Sequence, residues 1–325
     1  MIFKEIKRAL KKYTYLIYPI KYKNTIWLIG SGRSGTTWVA SIINYENTYR
    51  ELFEPFHTCI SEMKHFGFKK NLFLDEKLKK RGFRVLSKMV LNGKFYHPRT
   101  EKDNEFIKSY QNNFLLVKDI FANLCSYEIC SKNKKIKPIL LIRNPFATVY
   151  SISEREDWDW MEDPKEFLSQ KRLRDAYLLP FESLILDISK NGSYFERQIL
   201  IWSIINFIPL VMFNDNDKEL LVTFYEDWIS SPNTELKRVN KYLAIEDASN
   251  EDIRNSIKYQ SASKTSSQKE FSIISWKDKI STTEFTSGME ILKHFGFDKL
   301  YDEFSLPNRE HIKQISHKKV NLTYN

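Results

Sequence analysis

One loop constrains this chain more than any other feature. The apolar run Thr-Ile-Trp-Leu-Ile leads into Gly30-Ser31-Gly32-Arg33-Ser34-Gly35-Thr36-Thr37-Trp38, and an apolar helical pattern follows. Glycines permit tight backbone geometry, so that successive N–H groups converge on an anion at a helix N-terminus, where the dipole also favours negative charge. The hydroxyls of Thr36 and Thr37 add hydrogen bonds. A strand, a glycine loop and a helix in this order read as a phosphate cradle.

Three kinds of cradle share that outline. Gly30-x-Gly32-x-x-Gly35 matches the dinucleotide fingerprint, although that fold does not demand Arg-Ser inside it. Gly30 to Gly35 also reads G-x-x-x-x-G, but Thr36 stands where a nucleoside triphosphatase needs Lys. The γ-phosphate clamp is missing, and with it the case for ATP or GTP hydrolysis. The third reading keeps the cradle and puts the cation inside the loop as Arg33. That arrangement suits a ligand with a terminal 5′-phosphate whose distal bond is to be broken.

Strand patterns at Thr25–Ile29, Phe114–Lys118, Ile139–Arg143 and Leu221–Tyr225 alternate with helical patterns at Gly35–Asn44, Pro145–Glu154 and Asn233–Tyr242. A further helix from Ile199 precedes the last strand. The alternation predicts an α/β fold with a central, mainly parallel sheet covered by helices on both faces. Ligands in such sheets bind beyond the carboxyl ends of the strands. At one such end stands Arg143, planar and permanently charged, suited to a bidentate grip on phosphate. Asn144 is placed to cap the next helix, Pro145 fits its first turn, and Ser151 lies two turns in.

Net charge is +10 over 325 residues, and it sits at the ends. Residues 1–23 carry +6 and residues 306–325 carry +3, leaving +1 for 24–305. The expected organisation is a basic amphipathic segment over 1–23, a single α/β domain over 24–305 and a basic tail over 306–325. A nucleic-acid groove would need a basic stripe on the folded body, so no nucleic-acid partner is expected. In the N-terminal segment Ile2, Phe3, Ile6, Ala9, Leu10, Tyr13 and Ile17 recur at steps of three and four among Lys and Arg. Such a helix either lies on an anionic membrane surface or docks on its own domain. It has no apolar core or cleavage site of a secretory signal. Ile199 to Phe213 is too short for a bilayer span and includes Ser203, Asn206 and Pro209, so it reads as a buried core helix. Cys59, Cys125 and Cys130 cannot form a disulfide framework and contain no C-x-x-C pair, and the six histidines show no metal-ligand spacing.

Taken together, these motifs resemble the sulfotransferases that use 3′-phosphoadenosine 5′-phosphosulfate (PAPS). The family's first motif, an Arg- or Lys-Ser-Gly-Thr-Thr loop, appears as Arg33-Ser34-Gly35-Thr36-Thr37-Trp38. Its second, an Arg at a strand end with a Ser eight residues later, appears as Arg143 and Ser151. Its third, a strand ending in Tyr-Glu-Asp with a Pro shortly after, appears as Tyr225-Glu226-Asp227 and Pro232. The resemblance covers roughly residues 25–300 and implies a P-loop-like, nucleotide-kinase-like sulfotransferase fold. It implies that Arg33, Ser34, Gly35, Thr36, Thr37 and Trp38 bind the donor, that Arg143 and Ser151 hold its 3′-phosphate, and that Tyr225 lies near its nucleotide. Glu226 and Asp227 read as capping or structural residues.

By the same resemblance, a sulfuryl group moves in line from donor to an acceptor hydroxyl or amine, without a metal. Arg33 and the loop amides face the charge that builds on the departing phosphate. The acceptor needs a general base. Glu54, in Phe53-Glu54-Pro55, is the first candidate, because carbohydrate and tyrosyl-protein members carry a carboxylate at a similar distance. Asp119 and His57 are the alternatives. The small-molecule branch places a base His after its strand-end Lys, and here Asp119 follows Lys118 instead. Lys118 is assigned to the transferring group. The Arg-Lys-Gly stretch that ends the donor site in that branch is absent, and Ser261–Lys269 is its candidate substitute. Trp158 and Trp160, with Glu54-Pro55, favour a carbohydrate or glycolipid acceptor. A bacterial cytoplasmic enzyme, peripheral to the inner membrane through residues 1–18, is the expected setting. Two competing readings are a nicotinamide-dependent dehydrogenase built on Gly30–Gly35 and a non-enzymatic membrane or nucleic-acid binder driven by the basic ends.

Overall fold

The computed structural model describes residues 22–74, 81–101, 114–155, 161–216, 218–245 and 273–316. Residues 1–21, Trp158, Trp160 and Ser261–Lys269 lie outside them. The strands are β1 (Thr25–Gly30), β2 (Tyr49–Phe53), β3 (Phe114–Asp119), β4 (Ile136–Ile142) and β5 (Leu221–Phe224). They form one parallel sheet in the order β2-β3-β1-β4-β5. The main helices are α1 (Thr36–Ile43), α2 (Arg81–Leu91), α3 (Pro145–Ser153), α4 (Glu182–Asn191), α5 (Tyr194–Asp215), α6 (Tyr225–Ser230), α7 (Pro232–Leu243), α8 (Thr282–Phe295) and α9 (Arg309–Ser316).

The described chain divides into two compact units. Among the described residues, the first comprises 22–29, 36–74, 81–101, 114–140 and 232–245, and the second comprises 30–35, 141–155, 161–216, 218–231 and 273–316. In the first unit every residue of β1 is buried, as expected of a parallel strand covered on both faces. β1 runs parallel to β3, with Thr25 opposite Leu115 and Ile29 opposite Asp119. β2 runs parallel to β3 on its other side, with Phe53 opposite Lys118. Trp27 and Phe56 pack with ring centroids 5.4 Å apart, and Phe68 stacks on Phe83 at 5.2 Å.

β2 has no counterpart in the sequence reading, because Arg50 and Glu51 interrupt its apolar pattern. Arg50 is fully buried there, ion-paired with Glu101, and donates to the carbonyls of Gly93 (2.5 Å) and Phe95 (2.9 Å). A buried guanidinium is tolerated when its terminal nitrogens are met this way.

In the second unit, α5 and α8 pack together. Each begins with a reciprocal capping box, Ser193 with Glu196 and Ser281 with Glu284. α5 is long and apolar enough to cross a membrane by length and composition, yet its residues from Gln198 to Phe213 are all buried inside the protein. Its polar members turn inward to the helix itself: Ser203 donates to the Ile199 carbonyl (2.8 Å) and Asn206 to that of Trp202 (2.8 Å). β5 stops at Phe224, one residue short of expectation, and Tyr225 opens α6. Glu226 and Asp227 then lie in a first helical turn, where the dipole favours acidic groups. The expected C-terminal tail begins as α9, anchored by Arg309 to Asp227 at 2.8 Å.

Candidate active site

The sequence-predicted residues fall into two clusters, one in each unit. The second unit holds Arg33, Ser34, Gly35, Arg143, Ser151 and Tyr225. Within the loop, Ser34 closes a tight turn by donating both its N–H (3.2 Å) and its hydroxyl (2.7 Å) to the Ser31 carbonyl. Two residues adopt left-handed backbone, Arg33 (φ 65°) and Gly35 (φ 88°). Such strain in a non-glycine residue persists only where the surroundings enforce it, and it clusters at functional sites. Gly35 is required for a second reason. A Cβ there would lie 2.4 Å from Cδ2 of Tyr225, so the Tyr225 ring closes directly onto the loop.

The two arginines meet at this turn. Arg33 Nε donates to Ser151 Oγ at 2.9 Å, and Arg143 Nη1 donates to the Arg33 carbonyl at 2.9 Å. The Arg143 guanidinium lies over the Tyr225 ring, 4.6 Å from its centroid, a favourable cation–π distance. Burial pushes the Tyr225 phenol above its ordinary range, against the pull of Arg143 and Arg33. Ser151, assigned from sequence to the Arg143 grip, is thus bonded to Arg33. The two expected anion seats share one hydrogen-bonded group.

Behind Arg143 lies a network that the sequence reading did not assemble. Asn144 caps α3, accepting from the N–H groups of Phe146 and Ala147, and its own N–H donates to Glu226 Oε1 at 2.9 Å. Tyr301 donates to Glu226 Oε2 at 3.2 Å. The amide of Asn144 and the indole of Trp276 both reach Ser305 Oγ, at 3.4 and 3.0 Å. Burial raises the Glu226 carboxyl to about 7, opposed by the Asn144 N–H bond and by Arg143. Glu226 is therefore the group that fixes the turn carrying Arg143. Asn-Pro after a strand was the visible signal for the cap; its carboxylate partner comes from 82 positions away.

The first unit holds the second cluster. Because β2 and β3 are in register at Phe53 and Lys118, the residue after Phe53 reaches the end of β3, and the Glu54 N–H donates to the Lys118 carbonyl at 2.7 Å. Glu54 has a left-handed backbone (φ 45°), and Pro55 after it disfavours the right-handed helical region. Its carboxylate is buried and held on both oxygens, Oε1 by Lys118 Nζ (2.6 Å) and Oε2 by Arg99 Nη2 (2.8 Å). Burial alone would raise this carboxyl; the two cations outweigh it and hold Glu54 below the usual carboxylate range. Lys118 also sits over the Phe53 ring at 4.3 Å and Arg99 at 5.5 Å. Arg99 carries no local pattern that would have singled it out.

The alternative bases are engaged otherwise. Asp119 is fully buried and accepts from the N–H groups of Phe56 (2.9 Å), Phe121 (2.7 Å) and Ala122 (3.0 Å). Burial raises it to about 7 against those bonds. Through Phe56 it ties the Glu54-Pro55 turn to the end of β3. His57 Nδ1 accepts from the Cys59 N–H at 3.0 Å, and the ring meets Phe121 edge-on. Thr36, Thr37 and Trp38 form the first turn of α1, with Thr36 buried. Among the described residues no group of three or more His, Cys, Asp or Glu is placed to hold a metal ion.

A search among curated proteins found no match. A mouse sulfotransferase complexed with PAP is similar over 95% of this chain and 96% of its own, at 15% identity and TM-score 0.41. A sulfotransferase from Alicyclobacillus acidocaldarius is similar over 82% and 93%, at 12% identity and TM-score 0.37. A retinol dehydratase in complex with androsterone and inactive cofactor PAP is similar over 88% and 84%, at 12% identity and TM-score 0.36. The sulfotransferase domain family matches residues 23–323. The parallel sheet flanked by helices is that family's P-loop-like fold. With nearly its whole length matched, the chain belongs to the sulfotransferase domain family and is a sulfotransferase.

Proposed function

We propose that this enzyme transfers a sulfuryl group from PAPS to a hydroxyl of a carbohydrate or glycolipid. The observation that carries the donor half is the joining of Arg33, Arg143, Ser151 and Tyr225 around a left-handed loop. Two guanidiniums, a hydroxyl and a turn of backbone amides are the donor set that a nucleotide with two anionic groups requires. The loop amides and Arg33 face the charge that develops on the departing 5′-phosphate, and Arg143 with Ser151 serves the 3′-phosphate. The nicotinamide reading leaves Arg143, Ser151 and Tyr225 without a role, and a non-enzymatic binder does not account for the family match.

The acceptor half rests on Glu54. In this reading its carboxylate takes the proton of the attacking hydroxyl, and Lys118 assists at the transferring group. A His follows neither Lys118 nor Asp119, which favours an acceptor of the carbohydrate type over the small-molecule branch. The same proposal sets the enzyme in a bacterial cytoplasm, with the basic residues 1–18 against the anionic inner leaflet. Unchanged membrane fractionation after deleting those residues removes that element. Transfer of labelled sulfate from PAPS to a panel of neutral and acidic glycans tests the whole. Tight binding of adenosine 3′,5′-bisphosphate, no binding of NAD and labelling of at least one glycan are expected. Labelling of phenols or sterols alone overturns the acceptor class.

A further inference from the structure

The cluster around Glu54 holds one carboxylate between two cations. Lys118 is committed there: its side chain is 3% exposed, bonded to Oε1 and covered by the Phe53 ring. Arg99 differs. Its side chain is 28% exposed, and only Nη2 reaches Glu54. Its other terminal nitrogen, Nη1, is buried and has no hydrogen-bond partner. A guanidinium prefers two parallel bonds to one carboxylate or sulfate, and Glu54 cannot offer them because Oε1 belongs to Lys118. A buried donor left without an acceptor is costly, and each such group calls for an explanation. The pair also leaves one positive charge in excess of the single carboxylate.

Resting on the acceptor reading above, we infer that Arg99 is an acceptor-binding residue that selects acceptors carrying an anionic group, a carboxylate or a sulfate ester. The anionic group completes the fork of Arg99 by taking both terminal nitrogens. In doing so it draws one of the two cations away from Glu54. The carboxylate then faces Lys118 alone and becomes a stronger proton acceptor, so that recognition of the charged acceptor and readiness of the base are one event.

Three acceptors of one scaffold test it with the full-length enzyme: a glucuronic-acid-containing disaccharide, its carboxyl-reduced counterpart, and the reduced counterpart bearing a sulfate ester. The wild-type enzyme is expected to prefer at least one charged acceptor over the neutral one by about tenfold to a hundredfold in kcat/KM, the range for one charge-assisted bond. Which of the two is preferred identifies the group. Arg99→Gln is expected to erase most of that ratio, and Arg99→Lys, which restores charge without the fork, to recover part of it. A purely structural role would lower all three acceptors alike and leave the ratio standing. Equal kcat/KM for all three in the wild type overturns the inference without any variant. The acceptor reading fails differently: no glycan is labelled although adenosine 3′,5′-bisphosphate still binds.

Discussion

The two clusters treat charge in opposite ways. In the second unit, Arg143 makes no ion pair among the described residues; it is held by a carbonyl and an aromatic face, and Glu226, a carboxylate that feels its charge, is bonded to a backbone N–H and a phenol. A guanidinium held so, by neutral groups, keeps its charge uncompensated by an ion pair. In the first unit a carboxylate is already met by cations of the chain itself, Glu54 being clamped by Lys118 and Arg99. The first arrangement suits binding of a charged donor, whereas the second suits a base kept ionised until its partner arrives. Backbone strain accompanies both, at Arg33 and at Glu54.

The contrast is open to direct attack. Glu54→Gln tests the base and has the largest expected effect, a loss of about 10²–10⁴ in kcat with the affinity for adenosine 3′,5′-bisphosphate retained. Because it leaves buried Lys118 without its counter-charge, it is also expected to lower stability by roughly 3–5 kcal/mol, read from chemical denaturation. Near-normal turnover would remove Glu54 from the role. Arg33→Ala is the converse: kcat falls by about 10²–10³ and nucleotide affinity weakens, while the far-UV circular dichroism spectrum stays unchanged. Full nucleotide affinity in that variant would dissolve the distinction between the clusters.

A smaller effect is expected from Gly35→Ala. The new Cβ meets the Tyr225 ring and an unfavourable φ together, so stability should drop by about 1–3 kcal/mol and nucleotide affinity should fall with it. Normal affinity would mean that Tyr225 can leave the loop at no cost to the donor site.

The smallest effect is a pH dependence. Glu226 is raised to about 7 from an ordinary value of 4.5, and Asp119 to about 7 from 3.8. The folded state therefore binds more protons than the unfolded chain between those values, and stability falls as pH rises through that window. Glu54 has the opposite sign: its lowered value contributes stability that is present above 4.5 and is lost as pH falls through its folded value. Melting temperature measured from pH 5 to 8 should thus decline with pH. Glu226→Gln keeps an oxygen for the Asn144 N–H and should flatten the decline; an unchanged slope would assign it to other groups.

Local chemistry made much of this legible in advance. β1, its loop and α1 could be read because burial on both faces demands a continuous apolar run and a left-handed turn demands glycine. Arg143, Asn144 and Pro145 could be read because a strand end, a cap and a first-turn proline are neighbours in sequence. β2 could not, since Arg50 looks exposed until Glu101 and two carbonyls are brought to it. Nor could Arg99 be tied to Glu54, which is 45 positions away, or Tyr301 to Glu226, at 75.

What the amino-acid order alone determined is the alternation of strand and helix, the tight glycine loop and the strand-end arginine, because those depend on interactions among near neighbours. What only the tertiary structure decided is the electrostatic state of the site. Whether a carboxylate is clamped, a phenol buried or an arginine left with an open donor depends on which distant segments share its surroundings, and Coulomb and desolvation energies are set by distance in space.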